Sequence, residues 1–335
     1  MNIKHYEIEI SREEPFSNCK LNRKPYSKIL TEIIKNYSDG FVLAINNEWG
    51  TGKTTFTKMW KQQLINDGFQ AIYFNAWEND FNNNPLVAVM SELKPLTKGK
   101  IDNEKVFKSV IEKGAILTKN VAPVLVKSLI KKYLFDTDLI DATIENATKA
   151  ATEILEEEIK EYTDKKKTIK EFRDELERFI VKTESKKPLI FIVDELDRCR
   201  PNYSVEVLEQ LKHFFSVKGI VFVLSIDKNH LASSIKGFYG SDKINTDEYL
   251  RRFIDLEYSI PRPSNKLFSD YLFNFYGFDE FFNSSERRQH RELQNDREYL
   301  LEVSELLFNK CNATLRQQEK IFGQTRLILN SFKGV

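Results

Sequence analysis

A chain of 335 residues, 41% hydrophobic and 30% charged, is long enough to bury one large core or two ordinary ones. Its 51 basic and 50 acidic residues nearly cancel, so net charge gives no reason to expect nucleic acid as the main partner, although a local basic patch stays open. Three dispersed cysteines (Cys19, Cys199, Cys311) and four unpaired histidines lack metal-ligand spacing, which argues for reduced thiols in a cytoplasmic setting and against structural zinc.

The polar N-terminus, with Lys4, His5, Glu7 and Glu9, does not read as a signal peptide, and no apolar run is long enough to span a membrane. Residues 1–20 read as an arm with a strand-like stretch, Tyr6–Ile10, and a linker. Over 25–37 the spacing of Tyr26, Ile29, Leu30, Ile33 and Ile34 predicts a helix with one apolar face. Phe41–Ile45 reads as a buried strand and Phe56–Ile65 as a helix. Between them stands Asn47-Glu48-Trp49-Gly50-Thr51-Gly52-Lys53-Thr54-Thr55. Strand, glycine-bearing loop ending in Gly-Lys-Thr, then helix is the context of a phosphate-binding loop. Successive backbone N–H groups and the helix N-terminus cradle phosphates, making Asn47, Trp49, Gly50, Thr51, Gly52 and Thr55 candidate binding positions. Lys53 is placed to reach the β- and γ-phosphates, and the Thr54 hydroxyl to ligate Mg²⁺. Asn47 stands where the usual pattern has its first glycine, and asparagine is expected there for its tolerance of left-handed backbone angles.

Gln70–Phe74 is the next strand, leading into Asn75-Ala76-Trp77, and 85–94 a further helix. From 96 to 182 the chain turns rich in Lys, Glu, Ile, Ala and Thr, with one amphipathic helix expected over Asp136–Tyr162 and another over Thr168–Val181. Val121–Phe135 carries Lys127, Lys131 and Lys132 among apolar residues. Such a basic amphipathic helix suits peripheral contact with a membrane surface, or packing against the acidic helix beside it. Leu189–Val193 is apolar throughout, as in a parallel strand covered on both faces, and ends in Asp194-Glu195-Leu196-Asp197-Arg198. Carboxylates at that end suit a metal ligand, Asp194, and a general base, Glu195; a solvated acidic turn is the alternative. Asp197 and Arg198 are placed to orient Glu195 or to meet a neighbour, while Trp49 and Trp77 read as core residues.

Tyr203–Phe215 is helical, and Gly219–Asp227 is a third buried strand. Asp227 at its end reads as a sensor of the γ-phosphate, with Ser225 a weaker candidate, or as the N-cap of the helix that follows. Phe253–Ile260 alternates and stops at Pro261 and Pro263, as a sheet-edge strand does. From Asn265 onward the pattern is helical, and no internal repeat is apparent.

Taken together, Asn47–Thr55, Phe74–Trp77, Ile192–Cys199, Val205–Glu209, Phe222–Asp227 and Tyr249–Phe253 resemble, in family order, the KAP family of P-loop NTPases. That family is a branch of the additional-strand class related to STAND and AAA+ proteins. The resemblance covers roughly residues 20 to 330, with Asn47 in place of glycine and Glu195 where many members have aspartate. Many members also carry transmembrane helices between the two Walker motifs, which this chain lacks.

The resemblance implies an α/β P-loop NTPase, a three-layer sandwich on a mainly parallel sheet, with a helical insertion between the Walker motifs and a C-terminal helical subdomain. The expected division is an arm (1–20), a core (21–95 and 183–262), an insertion (96–182) and a lid (263–335). It implies ATP as the nucleotide and Mg²⁺ as the metal; no Asn-Lys-x-Asp guanine motif follows the phosphate loop. Arg251 and Arg252 stand where relatives keep arginines that reach a neighbouring subunit's site, or are ordinary solvated residues. Arg316 resembles the sensor arginine of the lid, or lies at the surface. The implied function is an ATP-hydrolysing switch or scaffold controlling self-association or a partner effector protein, in a setting of bacterial defence against phage or plasmids. A nucleic-acid-handling ATPase and a peripheral membrane organiser are the alternatives.

Overall fold

Strands that are apolar on both faces need cover on both faces, and the chain supplies it. The computed structural model describes residues 8–37, 40–81, 84–97, 101–119, 143–183, 187–212, 214, 216–293 and 295–331. Five parallel strands, β1 (Val42–Asn46), β2 (Gln70–Asn75), β3 (Leu189–Asp194), β4 (Ile220–Ile226) and β5 (Leu256–Tyr258), form one sheet in the order β2-β3-β4-β1-β5. β4 is thus interposed between the strand leading into the phosphate loop and the strand ending in Asp194. β3 and β4 are buried at every residue, whereas β5 is a three-residue edge strand.

Alternation along the strands sorts side chains into two layers. Leu43, Ile45, Ile190, Ile192, Val221 and Val223 face α1 (Lys24–Asn36) and α2 (Lys53–Asn66), where Leu30, Ile34, Phe56 and Trp60 close the core. Val42, Ala44, Phe191, Val193, Phe222 and Leu224 face the other way. That layer is covered by α3 (Pro85–Leu93) and a helical pair, α4 (Ile101–Lys119) and α5 (Thr143–Lys182), together with α6 (Pro201–Leu211) and α7 (Lys228–Tyr239). A separate aromatic core of Phe268, Phe273, Phe278, Phe308 and Phe322 holds the C-terminal helices together.

Two expectations change. The break expected near 163–167 is absent: α5 runs unbroken from Thr143 to Lys182. Thr163-Asp-Lys-Lys-Lys167 contains neither glycine nor proline, so nothing there stops a helix. Residues 136–142 and the basic segment 121–135 lie outside the described residues. Ile8–Ile10 also form no strand, although Ile8 and Ile10 still pack on the α1–α2 side of the sheet. Among the described residues no helix is long and apolar enough to cross a membrane.

α4 and α5 run antiparallel, with Phe107 against Phe179 at a 5.1 Å ring separation and Lys113 paired with Glu171. Phe172 meets Phe214 edge-on at 5.0 Å and anchors α5 to the sheet layer. Phe172→Ala should therefore cost about 3–5 kcal/mol in denaturant unfolding. A midpoint equal to wild type would show that this ring does not tie the helical pair to the core.

Candidate nucleotide site

The parallel register draws Asn75, Asp194, Ser225, Ile45 and Tyr258 into one row across the strand ends, so the next residues of each strand emerge along one edge. Gly50 and Gly52 of the loop after β1 take φ of 75° and 80°, the left-handed region that favours glycine. A side chain at Gly50 would come within 2.9 Å of the Arg316 Cβ, so the loop and the C-terminal helix α8 (Leu315–Ser331) meet there without one. The Arg316 N–H donates to the Gly50 carbonyl at 3.2 Å.

Asn47 does not take a left-handed angle; among the described non-glycine residues only Asn22, Glu195 and Asn312 do. Its side chain instead extends the sheet edge. Nδ2 donates to the Ile260 carbonyl at 2.8 Å, and Oδ1 accepts from the Ile260 N–H at 2.9 Å, much as a backbone amide would. The amide is therefore the reason for asparagine, and glycine could not replace it.

Lys53 arches back over the loop, donating to the Asn47 carbonyl at 2.5 Å and the Glu48 carbonyl at 3.2 Å. Burial lowers its pKa, while Asp197, Asp227 and Asp194 pull it back up. Asp194 is held from three sides. Its carboxylate accepts from the Tyr73 hydroxyl at 2.8 Å, the Glu195 N–H at 2.9 Å and the Thr57 hydroxyl at 3.4 Å. Burial and Asp194 push the Tyr73 phenol up, which keeps it protonated as the donor. Glu195 has φ 61°, and its Oε1 lies 2.7 Å from the Arg198 guanidinium and 3.5 Å from the Thr54 hydroxyl. Burial raises the Glu195 carboxyl above its ordinary range, against the opposing pull of Arg198 and a hydrogen bond from Asn75.

Neither Trp49 nor Trp77 is a core residue. The Trp49 indole stacks on His230 at 3.6 Å, its Nε1–H donates to Asp197, and its backbone N–H donates to Asp227 at 3.0 Å. Trp77 is 53% exposed and lies over Arg198. Both are amphipathic rings whose polar or π faces have partners at the strand edge. Asp227 caps α7, accepting from Asn229 and His230 N–H, while its other oxygen holds Trp49. Ser225 is buried with its hydroxyl unpartnered.

Trp49, Gly50, Gly52, Lys53, Thr54, Thr55, Asp194, Glu195, Asp197, Arg198 and Arg316 line a cavity of about 220 Å³. Gly50, Gly52, Thr55 and Arg316 also border a larger, more apolar cavity of about 690 Å³, walled by Phe56, Tyr271 and Leu315. Arg251 and Arg252 line neither cavity and are exposed, Arg251 pairing with Glu248 on its own helix.

Three supporting residues escaped the sequence reading. Asn75 ends β2 in the row that contains Asp194, so a polar residue at a strand's C-terminal end was the available signal. Thr57 lies one helical turn beyond Thr54, on the same side of α2. Arg23 donates to the Thr51 and Gly52 carbonyls at 2.7 and 3.1 Å from before α1, a contact across almost thirty residues with no local signal.

The family model described as KAP family P-loop domain matches residues 23–330. Among solved structures, the Aeropyrum pernix ORC2 protein in its ADPNP–ADP complexes matches at a TM-score of 0.38 and 16% identity, over 77% of this chain and 52% of that one. The present chain thus spans about half the length of that protein. C. elegans PCH-2 matches at a TM-score of 0.30 and 11% identity, over 97% of this chain and 71% of that one. No curated protein matches the chain.

Asp197 is buried, and the Trp49 indole N–H is the side-chain donor to its carboxylate, alongside backbone donors of Asp197 and Asp227. Trp49→Phe keeps an aromatic ring on His230 but removes that donor, and should lower stability by roughly 1–3 kcal/mol. Thermal unfolding checks this; an unchanged midpoint would mean that Asp197 finds another donor.

Proposed function

The chain belongs to the KAP family of P-loop domains, and from that premise we propose that it is an ATP-binding and ATP-hydrolysing switch. The observation that carries this reading is the convergence of Lys53, Thr54, Asp194 and Glu195 on one small cavity that shares Gly50, Gly52, Thr55 and Arg316 with a larger, more apolar one. A polar phosphate end and an apolar base end match the two halves of a nucleotide, and their size suits one ligand.

The donor set fits Mg²⁺: a hydroxyl from Thr54 and a carboxylate from Asp194 are hard oxygen ligands, and Mg²⁺ takes few protein ligands besides phosphate and water. When bound there it would spread the charge of the β- and γ-phosphates. Lys53 would leave the loop carbonyls for phosphate oxygens, a stronger acceptor for an ammonium. Glu195 would take the proton of the attacking water as the bond to the leaving ADP oxygen breaks. Tyr73, Thr57 and Asn75 hold the two carboxylates in place for these roles. Arg316 borders both cavities, which supports the lid as the element that senses the nucleotide.

On this reading ATP promotes self-association or partner binding, and hydrolysis resets it. Arg251 and Arg252, exposed beside β5, are the candidates to enter a neighbouring copy's site. The setting in bacterial defence against phage or plasmids rests on the family resemblance.

Lys53→Ala should lose nucleotide binding by at least an order of magnitude in calorimetry; affinity within a few-fold of wild type would contradict the phosphate-loop role. Glu195→Gln should retain Mg-ATP, lose turnover and gain mass with Mg-ATP in light scattering. Unchanged turnover would remove Glu195 as the base, and a constant monomer mass would remove self-association as the ATP-driven step. If Arg252 acts between subunits, mixing inactive Arg252→Ala with inactive Glu195→Gln protein should restore part of the ATPase activity. A mixture no more active than its components would return Arg252 to an ordinary surface role.

A further inference from the structure

Glu195 is occupied by a cation of its own chain. Its Oε1 lies 2.7 Å from Arg198 Nη1 and 3.5 Å from the Thr54 hydroxyl, so one oxygen serves two donors. The two partners stand three positions apart, and the short turn Leu196–Arg198 brings them together on the same side of the strand end. Arg198 is partly exposed, lines the smaller cavity, and has its guanidinium 5.9 Å from the centre of the Trp77 ring. Trp77 belongs to a turn pinned to the same edge. Asn75 Oδ1 accepts from the N–H groups of Trp77 and Glu78 at 3.1 and 3.3 Å, and Asp80 pairs with Arg200. The guanidinium therefore neighbours both the candidate base and the ring of a residue whose backbone is pinned to this edge.

The charges around this cavity decide what a terminal phosphate meets. Asp194, Glu195 and Asp197 contribute carboxylates, and Lys53, Arg198 and Arg316 contribute cations. A γ-phosphate brings more negative charge than a carboxylate and presents oxygens that match the guanidinium fork equally well. It also repels Glu195 directly, since like charges a few ångströms apart in a partly buried site are weakly screened. Both effects favour transfer of Arg198 from Glu195 to phosphate.

We propose that Arg198 is a switchable counter-ion, which gives up Glu195 for the terminal phosphate of a bound nucleoside triphosphate and so releases the carboxylate to engage water only when that phosphate is present. This rests on the reading of the site as one that hydrolyses a nucleoside triphosphate. It adds a means by which the site distinguishes triphosphate from diphosphate, located in this chain and not in a neighbour.

The test is a binding cycle without turnover. Affinities for Mg-ADP and for the Mg complex of the β,γ-imido analogue of ATP are measured by calorimetry in wild type, Arg198→Gln, Glu195→Gln and the double variant. Arg198→Gln, which keeps most of the side chain's length, should weaken the triphosphate analogue about tenfold and leave ADP within about twofold, the first being a clear energetic difference and the second near the noise. Glu195→Gln should tighten the analogue several-fold when Arg198 is present and have a much smaller effect when it is absent. Arg198→Lys should recover part of the triphosphate preference. Tryptophan emission should shift with the analogue in wild type by a component that is lost in both Trp77→Phe and Arg198→Gln.

Equal weakening of both nucleotides by Arg198→Gln, or an identical Glu195→Gln effect with and without Arg198, would overturn the counter-ion exchange and leave the hydrolase reading intact. Failure of wild type to bind either nucleotide would overturn both.

Discussion

The constraint on which this molecule depends is the parallel direction of its five strands. Every strand ends along the same edge, and the chain must leave that edge through a loop before entering the next helix. Backbone donors of the phosphate loop, the carboxylates of Asp194 and Glu195, the cap at Asp227 and the amide of Asn75 therefore share one line. An antiparallel arrangement of the same segments would scatter these groups over two edges. The apolar character of β3 and β4 follows from the same constraint, since a parallel sheet covered on both faces leaves its central strands no solvated side.

Around that edge, polar groups are held by other polar groups and not by bulk packing. Asp194 is fixed by Tyr73, Thr57 and the Glu195 N–H; Asp197 by Trp49; Asp227 by Trp49 and its own helix N-terminus. Each link removes a buried charge's exposure to an unpaired state, which is costly in a site of reduced dielectric. Above these fixed carboxylates, the longer side chains Lys53, Arg198 and Arg316 bring the site's cations. Arg23 braces the loop by donating to the Thr51 and Gly52 carbonyls.

The C-terminal helices reach the site through their own residues. Gly50 touches the start of α8, and Arg316 borders both cavities. Their own core is a separate aromatic cluster, and Phe268, Tyr271, Leu315 and Arg316 of these helices border the larger cavity. A ligand that filled both cavities would touch the phosphate loop and Arg316 together.

Much of this was legible in the sequence, for identifiable reasons. The strands at 41–45, 70–74, 189–193 and 219–227 announce themselves as apolar runs, and the Gly-Lys-Thr loop and Asp-Glu pair as chemistry attached to strand ends. Local order of this kind depends on neighbours in the chain, so the chain reveals it. The tertiary structure alone decided three things. Asn47 turned out to be an edge-pairing amide, because its partner Ile260 lies more than two hundred residues away. Trp49 and Trp77 turned out to be partners of charged and aromatic groups on other segments, because hydrophobic size cannot tell a core ring from a ring that stacks at an edge. Arg23 and Asn75 joined the site through contacts that close only when the sheet assembles. Sequence patterns encode periodicity and type; which charged group faces which is set by the register between strands distant in the chain.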